Sequence, residues 1–195
     1  SFWDSCRFAN WLTNNQPAGP QGAGTPERGA YTLDGYNGYD GRTIQRSANA
    51  KWAVTSEDEW YKAAYYNPAT GTYFDYPTSS NTDAVPGQDL ADVSGNNANY
   101  FLSSAKYPID SGKYYTTVAG EFQNSDSPYG TFDQGGNVWE WNEAVLYSSY
   151  RGVRGGAFDY RDVKHLLAAY RYGDYPSYGY TGRTGFRVVQ IPEPT

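Results

Sequence analysis

The stretch Tyr129-Gly130-Thr131-Phe132-Asp133-Gln134-Gly135-Gly136-Asn137-Val138-Trp139-Glu140-Trp141 is the most informative part of this 195-residue sequence. Two further motifs follow it along the chain, Arg154-Gly155-Gly156-Ala157-Phe158 and Gly185-Phe186-Arg187. Paired glycines permit an irregular backbone. Short strands are predicted around residues 114–122, 153–158 and 186–189, so the last two motifs lie at or beside short strands.

The composition indicates a folded domain with an aromatic core. Leu, Ile, Val and Phe are scarce, but 21 Tyr, 6 Trp and 8 Phe supply large apolar area. The net charge of −6 argues against nucleic acid and anionic membranes as partners. The chain contains no apolar run long enough to span a membrane.

Cysteine and histidine each occur once, which excludes several classes of site. Cys6 cannot form an intramolecular disulfide, and a zinc cluster of Cys and His side chains cannot be assembled. A Ser-His-Asp triad would have to use His165, which we interpret as a surface or structural histidine.

Two short helices are predicted. Ser1 and Asp4 stand at capping-box spacing at the start of the first, and one face of that helix is expected to carry Ser5, Phe8, Ala9 and Leu12. The second is expected over residues 54–66, with Ser56 as N-cap and a buried face made by Trp60, Ala63 and Ala64.

Regular structure is otherwise sparse. Residues 16–46 and 71–99 are rich in Gly, Pro, Asn and Asp, which favour turns. Two short helices and several short strands without an internal repeat indicate an α+β fold with much irregular structure.

The glycine-containing motifs and the segment Ser56-Glu57-Asp58-Glu59-Trp60 together resemble the sulfatase-modifying-factor, or formylglycine-generating enzyme, superfamily. They occur in the order and spacing of that family and cover nearly the whole chain. The resemblance implies an irregular α+β fold similar to the C-type lectin fold. It also implies that the family's opening strands precede Ser1, so we expect the sequence to be a fragment.

The same resemblance implies calcium as cofactor. A first ion would be held by Asn99, Tyr100, Asp110 and Gly112, and a second by Asp133, Gly136, Val138 and Glu140. Calcium prefers six to eight hard oxygen ligands from carboxylates and carbonyls, which agrees with these residues. The alternative is that Asp133 and Glu140 accept hydrogen bonds from loop amides without a metal.

Catalysis is not expected. Formylglycine-generating members use two active-site cysteines and a copper ion, placed after the Arg-Gly-Gly motif. The corresponding stretch here, residues 157–167, contains no cysteine, and the thiolate is both nucleophile and metal ligand in that chemistry. Cys6 is expected to pack within the first helix. A formylglycine-generating-type oxidoreductase, or another metal-dependent enzyme, is the alternative.

A Tyr-rich segment near the C-terminus indicates a binding surface instead. Its proposed contact residues are Tyr170, Tyr172, Asp174, Tyr175, Tyr178, Tyr180 and Arg183. Tyr, Ser, Gly and Arg are the residues that adaptable binding loops use, and the segment resembles the ligand loop of lectin-like variable proteins. The alternative is that these rings pack against Trp139, Trp141 and Phe158.

Residues 1–190 are therefore interpreted as one domain, and residues 191–195 as the start of a sorting signal. Ile191-Pro192-Glu193-Pro194-Thr195 resembles the opening of a PEP-CTERM signal, which implies a secreted protein at the envelope or exterior of a bacterium. We expect a non-catalytic, calcium-stabilised domain whose partner is an extracellular protein, a polysaccharide or another copy of the chain.

Overall fold

In the described part of the chain, two α-helices and eight short strands are separated by long irregular segments. The computed structural model describes residues 1–81, 87–101, 115–179 and 182–192. Helix α1 spans Phe2–Thr13 and α2 spans Glu57–Tyr65. The strands are β1 Trp52–Val54, β2 Tyr66–Asn67, β3 Thr72–Tyr73, β4 Trp139–Leu146, β5 Tyr150–Arg154, β6 Tyr172–Asp174, β7 Thr184–Phe186 and β8 Val188–Gln190. Within these ranges, no helix is long and apolar enough to cross a membrane.

A four-stranded sheet in the order β6-β5-β4-β7 is the centre of the fold. Strands β4, β5 and β6 pair antiparallel, and β7 joins β4 in parallel, which places Glu140 opposite Gly185. Strand β1 pairs with β8, and β2 with β3, in two smaller antiparallel sheets. This α+β architecture with little regular structure is the predicted fold class.

The core is aromatic, as the composition predicts. Trp3, Trp60, Trp141, Tyr31 and Tyr65 are each 1% exposed or less. Their rings meet mainly edge to face, and the centroids of Phe2 and Trp3 are 5.2 Å apart. Such pairs contribute about 0.5–1.5 kcal/mol beyond the area they bury, which offsets the scarcity of aliphatic side chains.

Both predicted N-caps are confirmed, although α2 is shorter than the predicted range 54–66 because Val54 is the last residue of β1. The hydroxyls of Ser1 and Ser56 accept hydrogen bonds from the backbone N–H groups of Asp4 and Glu59, completing a capping box in each helix. Three acidic residues in the first turn of α2 favour the positive end of the helix dipole.

The predicted inner face of α1 is confirmed at Ser5 and Ala9, which are buried, and is wrong at Phe8. Phe8 is 42% exposed, whereas the polar Asn10 is completely buried. The Asn10 side chain donates to the carbonyls of Pro26 and Tyr31 and accepts from the Tyr31 N–H. Because the adjoining loop needs these bonds, the helix turns an amide inward and leaves a ring outside.

The strand predictions were partly wrong. Residues 115–122 form no strand in the described part of the chain, and β5 ends at Arg154 because Gly155 and Gly156 adopt φ angles of +91° and +78°. The longest strand, β4, was not predicted. Its first four residues, Trp139 to Asn142, alternate between apolar and polar, yet all four are buried, so both strand faces are covered.

Candidate functional site

Backbone hydrogen bonds connect the turn before β4 to two segments that are distant in sequence. The backbone N–H of Asn137 donates to the Asn99 carbonyl at 2.7 Å, and that of Gly136 donates to the Gly155 carbonyl at 2.7 Å. Gly136 has a φ of +74°, and a Cβ there would lie 2.2 Å from the Asn99 carbonyl oxygen. Glycine is therefore required at this position, and the turn brings the two predicted calcium segments together.

Asp133, Val138 and Glu140 line one open cleft of about 550 Å³. Glu140 is 6% exposed, and its Oε2 accepts from Trp60 Nε1 at 2.6 Å and from Arg187 Nε at 2.7 Å. Asp133 is half-buried and accepts from the Gly120 N–H at 2.6 Å. Gly136 lies behind the cleft, against Asn99, and is not part of its lining.

Both carboxyl groups that line this cleft are desolvated. Burial raises the pKa of the Asp133 carboxyl and that of the Glu140 carboxyl, although Arg187 opposes both shifts. Two desolvated carboxylates thus share one guanidinium. No cluster of three or more His, Cys, Asp or Glu side chains suited to a metal occurs in the described residues. A calcium ion here would need backbone carbonyls among its ligands, as the predicted set requires.

The first predicted calcium site is only partly described. Asp110 and Gly112 lie outside the described residues. Tyr100 is 1% exposed, and Asn99 donates its amide to the Tyr115 carbonyl at 2.8 Å. Among the residues that the structure describes, the side-chain oxygen Oδ1 of Asn99 is buried without a hydrogen-bond partner. An unpaired buried oxygen costs about 1–3 kcal/mol, and a hard cation would satisfy it.

The stretch after the Arg-Gly-Gly motif carries packed rings. His165 lies 4.9 Å from Tyr160 and 4.7 Å from Tyr170, measured between ring centroids, and 5.7 Å from Trp139. Burial lowers the pKa of His165. Its Nδ1 is 2.7 Å from the Asp162 carbonyl oxygen, consistent with a structural role.

The only cysteine is far from these rings in sequence and inaccessible. Cys6 is completely buried in α1, and burial raises the pKa of its thiol well above the usual value. The thiol is therefore neutral and unreactive near neutral pH. This agrees with the expected packing role of Cys6.

Three residues of the predicted binding surface meet at a small cleft of about 120 Å³. Tyr172, Asp174 and Arg183 line it, with Trp139 and Tyr160 among the other walls. Arg183 pairs with Asp159 at 3.0 Å. The buried Nε1 of Trp139 has no hydrogen-bond partner within the described structure.

The described tyrosines of the predicted surface are neither fully buried nor fully exposed to solvent. Tyr172 and Tyr178 are each 40% exposed, and Tyr170 and Tyr175 are half-buried. Tyr180 lies outside the described residues. The rings of Tyr170 and Tyr172 pack on Trp139 at 6.2 and 5.7 Å, as the alternative prediction proposed for this segment.

Sequence reasoning overlooked two tyrosines beside this segment. Tyr39 and Tyr150 contact Tyr175 with centroid distances of 5.6 and 4.3 Å. Tyr39 lies in a loop and Tyr150 at the start of β5, each at least 25 residues away from Tyr175 in the chain, so periodicity could not connect them. The only available signal was that both tyrosines stand next to turn residues.

Comparison with known proteins is consistent with this geometry. CarF, a solved structure, aligns with a TM-score of 0.65 at 22% identity, over 98% of this chain and 66% of the CarF chain. Treponema denticola variable protein 1 aligns with a TM-score of 0.60 at 19% identity, over 98% of this chain and 69% of the other. At these identities the likeness concerns the fold alone. No curated protein matches the sequence.

A family model provides the assignment that these structures cannot. The model of the sulfatase-modifying factor enzyme 1-like domain, FGE-sulfatase, matches residues 1–191. The match includes all the motifs that surround the cleft and the turn before β4. The chain belongs to the FGE-sulfatase family.

Proposed function

We propose that the chain is a non-catalytic, calcium-stabilised member of this family that binds a partner through its Tyr-rich surface. The partner is an extracellular protein, a polysaccharide or another copy of the chain. The observation that carries the proposal is that packed rings occupy the segment where the family chemistry needs cysteines, while tyrosines beside them reach solvent.

The thiol chemistry supports the non-catalytic part. Residues 157–167 contain no cysteine, and the rings of Tyr160 and His165 meet there edge to face. Cys6 is completely buried, and its pKa is raised by that burial. A copper-dependent oxidation needs an accessible thiolate as ligand and nucleophile, which Cys6 does not supply.

The carboxylate cleft supports calcium binding. Asp133 and Glu140 would provide side-chain oxygens, Gly136 and Val138 backbone carbonyls, and Asn99 the unpaired Oδ1 for the first ion. Bound calcium would neutralise the two desolvated carboxylates and hold the turn before β4. The role of the ion would thus be structural, as for cations that stabilise irregular loops.

Export is proposed on the resemblance of residues 191–195 to a PEP-CTERM signal. Ile191 lies within the described residues, and its N–H donates to the Lys51 carbonyl at 2.8 Å, directly after β8. A signal starting where the last strand ends would leave the domain intact. Calcium is plentiful outside cells, so sites of modest affinity would be filled there.

A binding array tests the proposal. The protein is applied in calcium to arrayed glycans, extracellular proteins and immobilised copies of the chain itself, beside the variant Tyr172→Ala/Arg183→Ala and the control Tyr73→Ala. Tyr73 is 50% exposed on β3 and lies outside the proposed surface. We expect binding to at least one class of array member that the double variant loses and the control keeps. Binding that all three proteins share, or no binding at all, would contradict the proposal.

A further inference from the structure

Five tyrosines from three separate segments form one continuous surface cluster, which we call the tyrosine platform. Its members are Tyr39, Tyr147, Tyr150, Tyr175 and Tyr178. Neighbouring ring centroids within it are 4.3 to 6.1 Å apart. Only Tyr175 and Tyr178 belong to the Tyr-rich segment proposed above. The platform therefore extends that surface onto the loop at Tyr39 and the β4–β5 turn.

Hydrogen bonds hold the segments of the platform together. The Gly41 N–H donates to the Ser149 carbonyl at 2.7 Å, which ties the Tyr39 loop to the β4–β5 turn. A hydrogen bond with the Tyr175 hydroxyl raises the pKa of Tyr150 to about 12. The rings are thus held in place before any ligand arrives, which lowers the entropy cost of binding.

The platform is also open to solvent. Tyr147 is 69% exposed, Tyr39 is 62% exposed and Tyr178 is 40% exposed. Contiguous exposed aromatic patches mark interaction sites more often than scattered single rings do. Tyrosine offers an apolar face and a hydroxyl at once, so it suits ligands that carry both kinds of surface.

The charges around the platform are largely compensated. Asp40, beside Tyr39, pairs with Arg42 at 2.8 Å, and Arg171 pairs with Glu57. Asp174 has no ion-pair partner among the residues that the structure describes, and it can accept hydrogen bonds from ligand hydroxyls. With a net charge of −6 the chain repels polyanions. The platform thus suits a neutral ligand rich in hydroxyl groups.

We infer that the tyrosine platform binds a neutral, soluble polysaccharide, an inference that rests on the binding role proposed above. Sugar rings present C–H faces to tyrosine rings and hydroxyls to phenols and to Asp174. Successive platform rings meet at 59° to 89°. No single flat plane therefore runs across them, and a twisting soluble chain fits better than a flat crystalline surface.

Affinity electrophoresis tests this inference. Native gels contain dextran, mannan or a mixed-linkage β-glucan, with the anionic alginate as a comparison. The platform variant is Tyr39→Ala/Tyr178→Ala, and the matched control is Tyr73→Ala/Tyr129→Ala, two tyrosines that are 50% and 46% exposed elsewhere. We expect at least one neutral polymer to retard the wild-type protein, with an apparent affinity at least tenfold weaker in the platform variant and unchanged in the control.

Several outcomes would overturn the inference: no retardation by any neutral polymer, retardation by alginate alone, or an equal loss in both variants. Thermal melts of the variants show whether each remains folded, and these exposed substitutions should leave the midpoint within a few degrees. If the binding array finds a protein partner while all neutral polymers fail, the polysaccharide inference falls and the proposed function stands.

Discussion

Replacing Gly136 by alanine should destabilise the protein strongly, because this glycine joins the turn before β4 to the Asn99 loop. Its φ is +74°, and a Cβ would lie 2.2 Å from the Asn99 carbonyl oxygen. The left-handed backbone costs a residue with a Cβ about 1–2 kcal/mol. Displacing the Asn99 backbone adds about 1–3 kcal/mol, and weakening the hydrogen bond from Asn137 adds about 1 kcal/mol. We expect a total loss of about 3–6 kcal/mol in the free energy of unfolding.

The matched control is Gly71→Ala. Gly71 has nearly the same φ, +71°, but nothing lies within 4 Å of a Cβ there. The Gly71→Ala variant should lose only about 1–2 kcal/mol, the cost of a left-handed backbone for a residue with a Cβ. Urea unfolding of both variants measures the difference. Equal losses in the two variants would refute the argument that the close approach to Asn99 dominates.

The remaining predictions concern metal and protonation. Calcium at a hundredfold excess over its Kd should stabilise the protein by about 2.7 kcal/mol, raising the melting midpoint by about 5–11 °C over chelator. Asp133→Asn should reduce that gap, whereas identical melts in calcium and chelator would reject both calcium sites. Because burial lowers the pKa of His165 in the folded state, the unfolded chain binds its proton more readily. This contribution to stability is therefore present above the unfolded pKa near 6.5 and is lost as pH falls toward the folded pKa. Melting midpoints between pH 7.5 and pH 5 should fall more in the wild type than in His165→Gln, and parallel curves would contradict this assignment.

Motifs with local causes were predictable from the sequence. The capping boxes at Ser1 and Ser56 depend only on residues three positions apart, and both form. The α+β class followed from turn density and short apolar segments. The family resemblance rested on the motifs at Gly135, Arg154 and Gly185, which the family model also covers.

Features that depend on tertiary contacts were not predictable. The burial of Glu140 and Asn142 in β4 is one such feature, because their alternation with Trp139 and Trp141 predicts a polar strand face in solvent. Glu140 is buried because Trp60 and Arg187 bond it, and these partners lie 80 and 47 residues away in sequence. Asn10 replaces Phe8 on the inner face of α1 for a similar reason.

One part of the candidate surface was predictable from the sequence and another part was not. Composition indicated a Tyr-rich contact segment, and Tyr172 and Tyr178 reach solvent. The packing of Tyr39 and Tyr150 onto Tyr175 depends on how the Tyr39 loop, the start of β5 and the segment after β6 meet. A single sequence contains no signal that joins these loops.

Mass spectrometry of a synthetic peptide with a sulfatase-type cysteine most directly tests the claim that this family member binds without catalysing. The peptide is incubated with the protein, copper and oxygen, in parallel with the variant Cys6→Ala, which removes the only thiol. We predict that neither protein converts the cysteine of the peptide to formylglycine. Conversion of the cysteine to formylglycine by the wild-type protein would contradict the account.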